Sequence, residues 1–202
     1  MWTRHTRTGG RVMTSTVVRP PANFWDDLED ERTKDAERLV WAYLQRTNRW
    51  PCEDTRDLHV PWDFRVMVAP GLWKQLDVKA DRWMDESGRL PYETHHVYPD
   101  GSEKDGWGRS TALDIVAVVA MGKDDVQGTH RCVFVERKAM HQLVEGAITT
   151  AERERGSMPA NWVPFERENE GGKVTHGWAV PMGEAFKAMV YRTVVQLPGG
   201  RR

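Results

Sequence analysis

The sequence predicts an α/β fold in which helices cover both faces of a small mixed sheet. Two observations support this fold class. One amphipathic helical pattern precedes several short apolar runs rich in β-forming residues, and a second follows a strand–turn–strand segment. Because a helix stripe and a sheet face must each be buried against another element, a three-layer α/β/α arrangement follows.

The first predicted element is a helix from about Asn23 to Arg46. Its apolar residues recur at helical spacing: Ala36, Leu39, Val40, Tyr43 and Leu44. Glu37 borders that apolar face. Residues 1–22 are rich in Thr and Arg, which predicts a basic arm with little structure of its own. We expect one domain over residues 23–197 and a short tail over residues 198–202.

The middle and the end of the chain are predicted to alternate between short strands and loops. The predicted strands are Phe64 to Ala69, residues 75–80, Tyr92 to Tyr98 and Lys173 to Val180. The stretches 103–108 and 157–172 are predicted loops, because they are polar or contain Pro and Gly. Residues 183–196 fit a helix, although their second half fits a strand equally well.

The central segment runs from Arg109 to Arg153 and is predicted to form strand, turn, strand and helix. Two apolar runs, Ile115 to Val119 and Cys132 to Val135, flank a polar loop that contains Gly and Asp, which is typical of a hairpin. An apolar stripe at helical spacing then extends from Met140 to Ala151. We expect this helix to pack against the sheet that contains both strands.

Three charged side chains interrupt this apolar segment: Asp114, Glu136 and Lys138. A carboxylate inside a Val- and Ile-rich run is costly unless it is paired or holds a metal ion. Because residues two apart share a strand face, Glu136 and Lys138 are expected to point the same way, with Asp114 beside Glu136 on the neighbouring strand. Hard oxygen ligands in this arrangement suit Mg²⁺ or Mn²⁺.

This arrangement resembles the active site of the PD-(D/E)xK nuclease superfamily, in which a restriction-endonuclease-like fold carries an Asp on one strand, acid-x-Lys on the next, and then a helix. The proline of that motif is absent, since Leu113 precedes Asp114. The resemblance implies hydrolysis of DNA phosphodiester bonds with Mg²⁺ or Mn²⁺ as cofactor. It implies that Asp114 and Glu136 hold the metal ion, and that Lys138 orients or deprotonates water or stabilises the transition state.

The resemblance also implies supporting roles for other residues. The backbone carbonyl of Arg137 is a candidate third metal ligand, and Glu37 on the preceding helix is a candidate further acid. Arg109 and Arg137 are candidates for gripping flanking phosphates. Gln142 lies one turn past Lys138 and is a candidate to assist at the site.

The acid-x-Lys pattern alone is weakly specific, and it occurs twice in the chain. The other occurrence is Asp77-Val78-Lys79, with Asp63 upstream as its candidate partner. Its surroundings are more polar, and only a short charged segment follows it. These differences favour the Glu136 motif, with the Asp77 motif as the alternative site.

Composition limits the functional classes without selecting one. The chain has 202 residues, a formal net charge of −1 and two cysteines, which fits a soluble protein of a reducing, cytoplasmic compartment. No apolar run approaches the length of a membrane-spanning helix, and the N-terminus lacks the apolar segment of a signal peptide. DNA of unspecified form is the expected partner, and a homodimer is left open.

Two other classes of function fit the same residues. A nuclease-like module could bind DNA without cleaving it, and a structural or assembly protein, such as a virion component, could use the three charges as a buried ion pair. Geometry separates these classes. Carboxylates that share a metal-sized gap in an open cleft favour a nuclease, whereas a sealed ion pair favours a structural protein.

Overall fold

The computed structural model describes residues 22–121, 129–154 and 156–196. The helices are α1 (Ala22–Thr47), α2 (Met84–Ser87), α3 (Arg137–Arg153) and α4 (Met182–Ala185). The strands are β1 (Cys52–Asp54), β2 (Phe64–Ala69), β3 (Leu72–Asp81), β4 (Arg89–Val97), β5 (Glu103–Asp105), β6 (Ile115–Ala120), β7 (Thr129–Glu136), β8 (Val163–Glu168), β9 (Val174–Pro181) and β10 (Met189–Gln196). The predicted arm as far as residue 21, most of the 122–130 loop and the predicted tail lie outside the described residues.

The main sheet has six strands in the order β1-β2-β3-β6-β7-β10. Strands β3 and β6 are parallel, and the other neighbouring pairs are antiparallel, so the sheet is mixed. Strands β6 and β7 pair from Ile115 opposite Glu136 to Val119 opposite Cys132, which confirms the predicted hairpin. The parallel pair requires a crossover between β3 and β6, and this crossover contains β4 and β5.

A second, antiparallel sheet has the order β5-β4-β9-β8. The prediction of loops over residues 103–108 and 157–172 was wrong where they form β5 and β8. Both are edge strands with mostly exposed side chains, so neither has the apolar run that marks a half-buried strand. The second half of residues 183–196 is a strand, which decides between the two predicted alternatives.

Helix α1 covers one face of the main sheet. Its Leu39 and Leu44 are buried against Phe64, Leu76 and Phe134 of the sheet. The spacing of three and four residues between apolar positions places all of them on one helix face, which explains why this helix was predictable. The predicted start and end of the helix lie within one residue of those observed.

Helix α3 and the second sheet cover the opposite face. Met140 and Val144 of α3, together with Tyr92 of β4, are buried against Val116 and Val133 of the main sheet. The predicted fold class, a mixed sheet with helices on both faces, is therefore confirmed. The second sheet is an addition on the α3 side, and the space between it and β3 forms the cleft described below.

Candidate active site

The structure places the favoured trio Asp114, Glu136 and Lys138 just before β6, at the end of β7 and in α3 respectively. Asp114 precedes β6, and its Oδ1 lies 3.2 Å from Lys74 Nζ. Its Oδ2 accepts a hydrogen bond of 3.0 Å from the Gln75 backbone N–H. Among the described residues, no hydrogen bond or ion pair joins the side chains of Asp114, Glu136 and Lys138.

The predicted strand relationship between Glu136 and Lys138 was wrong. Strand β7 ends at Glu136 and helix α3 begins at Arg137, so Lys138 belongs to the helix. The two-residue alternation of a strand therefore does not apply to this pair. Both side chains are exposed. Catalytic or metal-binding roles for these residues stay predictions.

The supporting residues of the favoured motif have other partners. Arg137 donates its backbone N–H to the Asp114 carbonyl at 2.9 Å and its Nε–H to the Leu113 carbonyl at 3.1 Å. Arg109 donates two hydrogen bonds to Glu145, of 2.8 and 3.1 Å. Gln142 is exposed on α3. Arg137 and Arg109 thus fasten the segments around the hairpin, and their phosphate contacts stay predictions.

The side chains of the alternative motif lie close together, near the end of β3. Strand β2 pairs with β3 only as far as Phe64 opposite Leu76, so the Val78 N–H has no strand partner on that side. Asp63, which immediately precedes β2, fills the gap, because its Oδ2 accepts the Val78 N–H at 2.7 Å. Thr55 holds the Asp63 carbonyl with its backbone N–H at 3.0 Å and its hydroxyl at 2.9 Å.

Strand alternation places Asp77 and Lys79 on one face of β3. Leu76 and Val78 point to the opposite face, where they are buried against α1. Asp77 is only 7% exposed, whereas the Lys79 side chain is 38% exposed. Lys79 Nζ lies 2.9 Å from Asp77 Oδ2 and forms an ion pair with it.

The pKa values show that these charged side chains act on one another. Burial and the charge of Asp77 raise the pKa of Asp63 to about 7, against the opposing hydrogen bond from Val78. Burial also raises the pKa of Asp77, although Lys79 counteracts it. Burial alone would lower the pKa of Lys79, but the negative charges of Asp77, Glu93 and Asp63 outweigh it and raise that pKa. A cation is therefore strongly favoured here.

Glu37 of α1 is a third acid near Asp63 and Asp77. Burial raises its pKa, Arg56 opposes that shift, and the charge of Asp77 adds to it. Its Oε2 lies 3.6 Å from an Arg56 guanidinium nitrogen. The charge of Glu37 in turn raises the pKa of Asp63. We call Glu37, Asp63, Asp77 and Lys79 the acid–lysine cluster.

A cavity of about 160 Å³ lies directly against the cluster. Asp77, Lys79 and Glu93 contribute to its wall, and it has room for several water molecules. Glu93 of β4 lies 3.5 Å from an Arg167 nitrogen and 3.9 Å from His96 Nε2. Burial lowers the pKa of His96, although the charge of Glu93 opposes this. The second sheet thus supplies its own charged groups beside β3.

Two carboxylates of the cluster are candidates to hold a hard divalent cation of the Mg²⁺ type. Within the described part of the chain, no group of three or more His, Cys, Asp or Glu side chains is placed to hold a metal ion. Mg²⁺ does not require one, because it is usually held by one or two carboxylates and keeps several waters. Asp63 and Asp77 supply two carboxylates, and Asp77 lies in the wall of the adjoining cavity.

In the sequence, the Asp77 motif is the alternative rather than the favoured site because its surroundings are more polar than those of the Glu136 motif. Residues 75–80 were correctly predicted as a strand, and Asp63 was noted as a partner for Asp77. The proline of the resembling motif gave no signal for this site either, since Trp62 precedes Asp63. The burial of Asp77 depends on the second sheet and had no local signal.

No protein-family model matches the sequence, and no curated protein matches it. Among solved structures, the chain is similar to a bacterial homing endonuclease, I-Ssp6803I. The aligned region covers 56% of this chain and 72% of the endonuclease chain, with 8% sequence identity and a TM-score of 0.41. Within the described residues, no helix combines the length and apolar character needed to span a membrane.

Proposed function

We propose that the protein is a metal-dependent nuclease that hydrolyses DNA phosphodiester bonds at the acid–lysine cluster. The observation that supports this proposal is the convergence of Asp63, Asp77 and Lys79 beside a cavity, with the buried Asp77 carboxylate in its wall. Two carboxylates at such close quarters repel each other unless a cation or a proton intervenes. Lys79 lines this cavity, so its ammonium can contact a substrate there.

Asp63 and Asp77 would hold the metal ion, with Glu37 as the third acid near it. When bound, Mg²⁺ or Mn²⁺ supplies a Lewis acid for a phosphate oxygen and favours a nucleophilic water. The Val78 N–H and the two Thr55 donors fix the Asp63 carboxylate and backbone. Such fixed supports keep the carboxylates in position before substrate binds.

Lys79 is proposed to act as a cation. Its pKa is raised by the surrounding carboxylates, so it stays protonated near neutral pH. A protonated ammonium cannot accept a proton from water, which argues against a role as general base. It can instead donate hydrogen bonds to a water or to a phosphate oxygen, and can stabilise negative charge that develops on the phosphate during attack.

The chain itself offers a matched test, because it contains two acid-x-Lys motifs. Asp77→Asn and Lys79→Ala are compared with Glu136→Gln and Lys138→Ala. Cleavage is measured on duplex, single-stranded, flap and junction DNA with Mg²⁺, with Mn²⁺ and with chelator. We expect the first pair to lose cleavage by about a hundredfold or more, and the second pair to keep it.

Two other outcomes would replace the proposal. Loss of cleavage in the Glu136 and Lys138 variants alone would return the site to Asp114. If the wild-type protein cleaves no substrate and Asp77→Asn lowers the free energy of unfolding by about 3–5 kcal/mol, the cluster is a structural ion pair.

A further inference from the structure

A large cleft adjoins the acid–lysine cluster and has no assigned role. Its volume is about 1130 Å³, slightly beyond the range of about 300–1,000 Å³ that is usual for small-ligand pockets. Lys79, Glu93 and Trp107 line both this cleft and the smaller cavity at Asp77. The cleft lies between β3, the chain around α2 and the second sheet. A ligand in it would therefore lead directly to the proposed catalytic residues.

The walls of the cleft are positively charged. Six Lys or Arg residues and three Asp or Glu residues line it, whereas the whole chain has a formal net charge of −1. Within the described residues, the side chains of Arg32 and Lys173 make no hydrogen bond or ion pair. Two different segments of the cleft lining therefore carry cations that can contact an anion, because Arg32 comes from α1 and Lys173 immediately precedes β9. We call this surface the basic cleft.

Aromatic side chains alternate with these cations. Trp83 is 52% exposed, which is unusual beside the described Trp50, Trp107 and Trp162, all of them buried. The Arg82 guanidinium lies 5.0 Å from the centre of the Trp83 ring. Trp107 is buried in the cleft wall, and its indole N–H has no hydrogen-bond partner among the described residues. An exposed indole beside cations is the pattern on which unpaired bases stack.

We propose that the basic cleft binds a single strand of nucleic acid, with Trp83 as the stacking platform for a base. Cations from several segments of the lining match a phosphate backbone, and an aromatic face matches a base that is not stacked in a duplex. A duplex stacks its bases on one another and so offers no free base face to Trp83. The inference rests on the proposed nuclease function, because a strand bound in the cleft would extend to Lys79 at the proposed active site.

Binding in chelator tests this inference apart from cleavage. Labelled oligonucleotides are titrated as single-stranded DNA, single-stranded RNA and duplex DNA of one sequence, with fluorescence anisotropy as the readout. We expect a single strand to bind at least tenfold more tightly than the duplex. Trp83→Ala should weaken single-strand binding by about tenfold or more. Phe186→Ala is the matched control, because Phe186 is 53% exposed and lies outside the cleft lining.

Salt dependence provides a second readout. Arg32→Ala combined with Lys173→Ala should flatten the plot of log affinity against log salt by about 0.7 for each phosphate that the cleft no longer neutralises. Dependence on Trp83 with either DNA or RNA strands supports the proposal. Equal binding of duplex and single strand, or an effect of Trp83→Ala no larger than that of Phe186→Ala, overturns it. A wild type that cleaves DNA despite that result would leave the proposed function standing without this inference.

Discussion

At the scale of single residues, the Asp63–Asp77 pair shows the cost of burying two carboxylates close together. Each carboxylate loses water on burial, which raises both pKa values, and the charge of Asp77 raises the pKa of Asp63 further. Lys79 offsets part of that cost, because its ammonium forms an ion pair with Asp77. Without a bound cation, the pair is therefore a local weakness in an otherwise well-packed strand.

We expect Asp63→Asn to stabilise the metal-free protein near pH 8. The pKa of Asp63 rises from an ordinary value of 3.8 to about 7, so at pH 8 the folded chain holds a carboxylate in unfavourable surroundings. The amide oxygen of the asparagine can still accept the Val78 N–H. Urea denaturation in chelator should show a gain of about 1–3 kcal/mol, since each pKa unit corresponds to about 1.4 kcal/mol.

The sign of this effect depends on pH. Between about pH 4 and about pH 7, the unfolded chain has lost the Asp63 proton while the folded chain keeps it, so the unfolding free energy of wild type falls as pH rises. Asp63→Asn removes this contribution. Its advantage over wild type should therefore be small near pH 4 and reach its full size above pH 7. A constant difference across that window would contradict the raised pKa.

The residues of the cluster were predictable from sequence in part. Asp77-Val78-Lys79 and Asp63 were visible as a motif, and Glu37 was a candidate acid. What the sequence did not show is that α3 begins at Arg137, which separates Glu136 from Lys138. The boundary is invisible locally because an apolar strand runs directly into a helix without a capping side chain.

At the scale of elements, α1, α3 and the β6–β7 hairpin were predictable because their apolar residues repeat at the period of the element. The second sheet was not, because only β4 and β9 have strand-like runs and its edge strands are polar. Its position over β3 is fixed by contacts distant in sequence. These include the Tyr92 hydroxyl, which lies 2.9 Å from His141 Nδ1 of α3.

The Arg109–Glu145 pair should stabilise the junction between α3 and the loop before β6. We expect Glu145→Ala to lower the free energy of unfolding by about 1 kcal/mol, because the pair is bidentate but partly exposed. A double-mutant cycle with Arg109→Ala measures the coupling by urea denaturation. Glu152→Ala is the control, since Glu152 is exposed on the same helix. If Arg109→Ala weakens DNA binding without changing stability, the predicted phosphate contact outweighs this structural role.

At the scale of the whole molecule, charge is distributed unevenly. The chain is nearly neutral, yet cations are in excess around the basic cleft and carboxylates concentrate at its inner end. A positive cleft attracts a polyanion, and the carboxylates repel it unless a metal ion is bound. The arrangement therefore predicts that metal and nucleic acid support each other's binding. It also makes the unliganded fold less stable than the liganded one.

We expect Mg²⁺ or Mn²⁺ to raise the melting temperature of the whole protein through Asp77. A ligand at a hundred times its Kd stabilises a fold by about 2.7 kcal/mol. For a chain of this size, each kcal/mol corresponds to about 2–4 °C. Asp77→Asn and Glu136→Gln each remove one carboxylate charge, but Asp77 is buried in the cluster and Glu136 is exposed. Calorimetry should show the metal-induced rise in wild type and in Glu136→Gln, and its loss in Asp77→Asn. The opposite ranking would place the metal between Asp114 and Glu136, and identical melting of wild type in metal and in chelator would rule out a metal site at either motif.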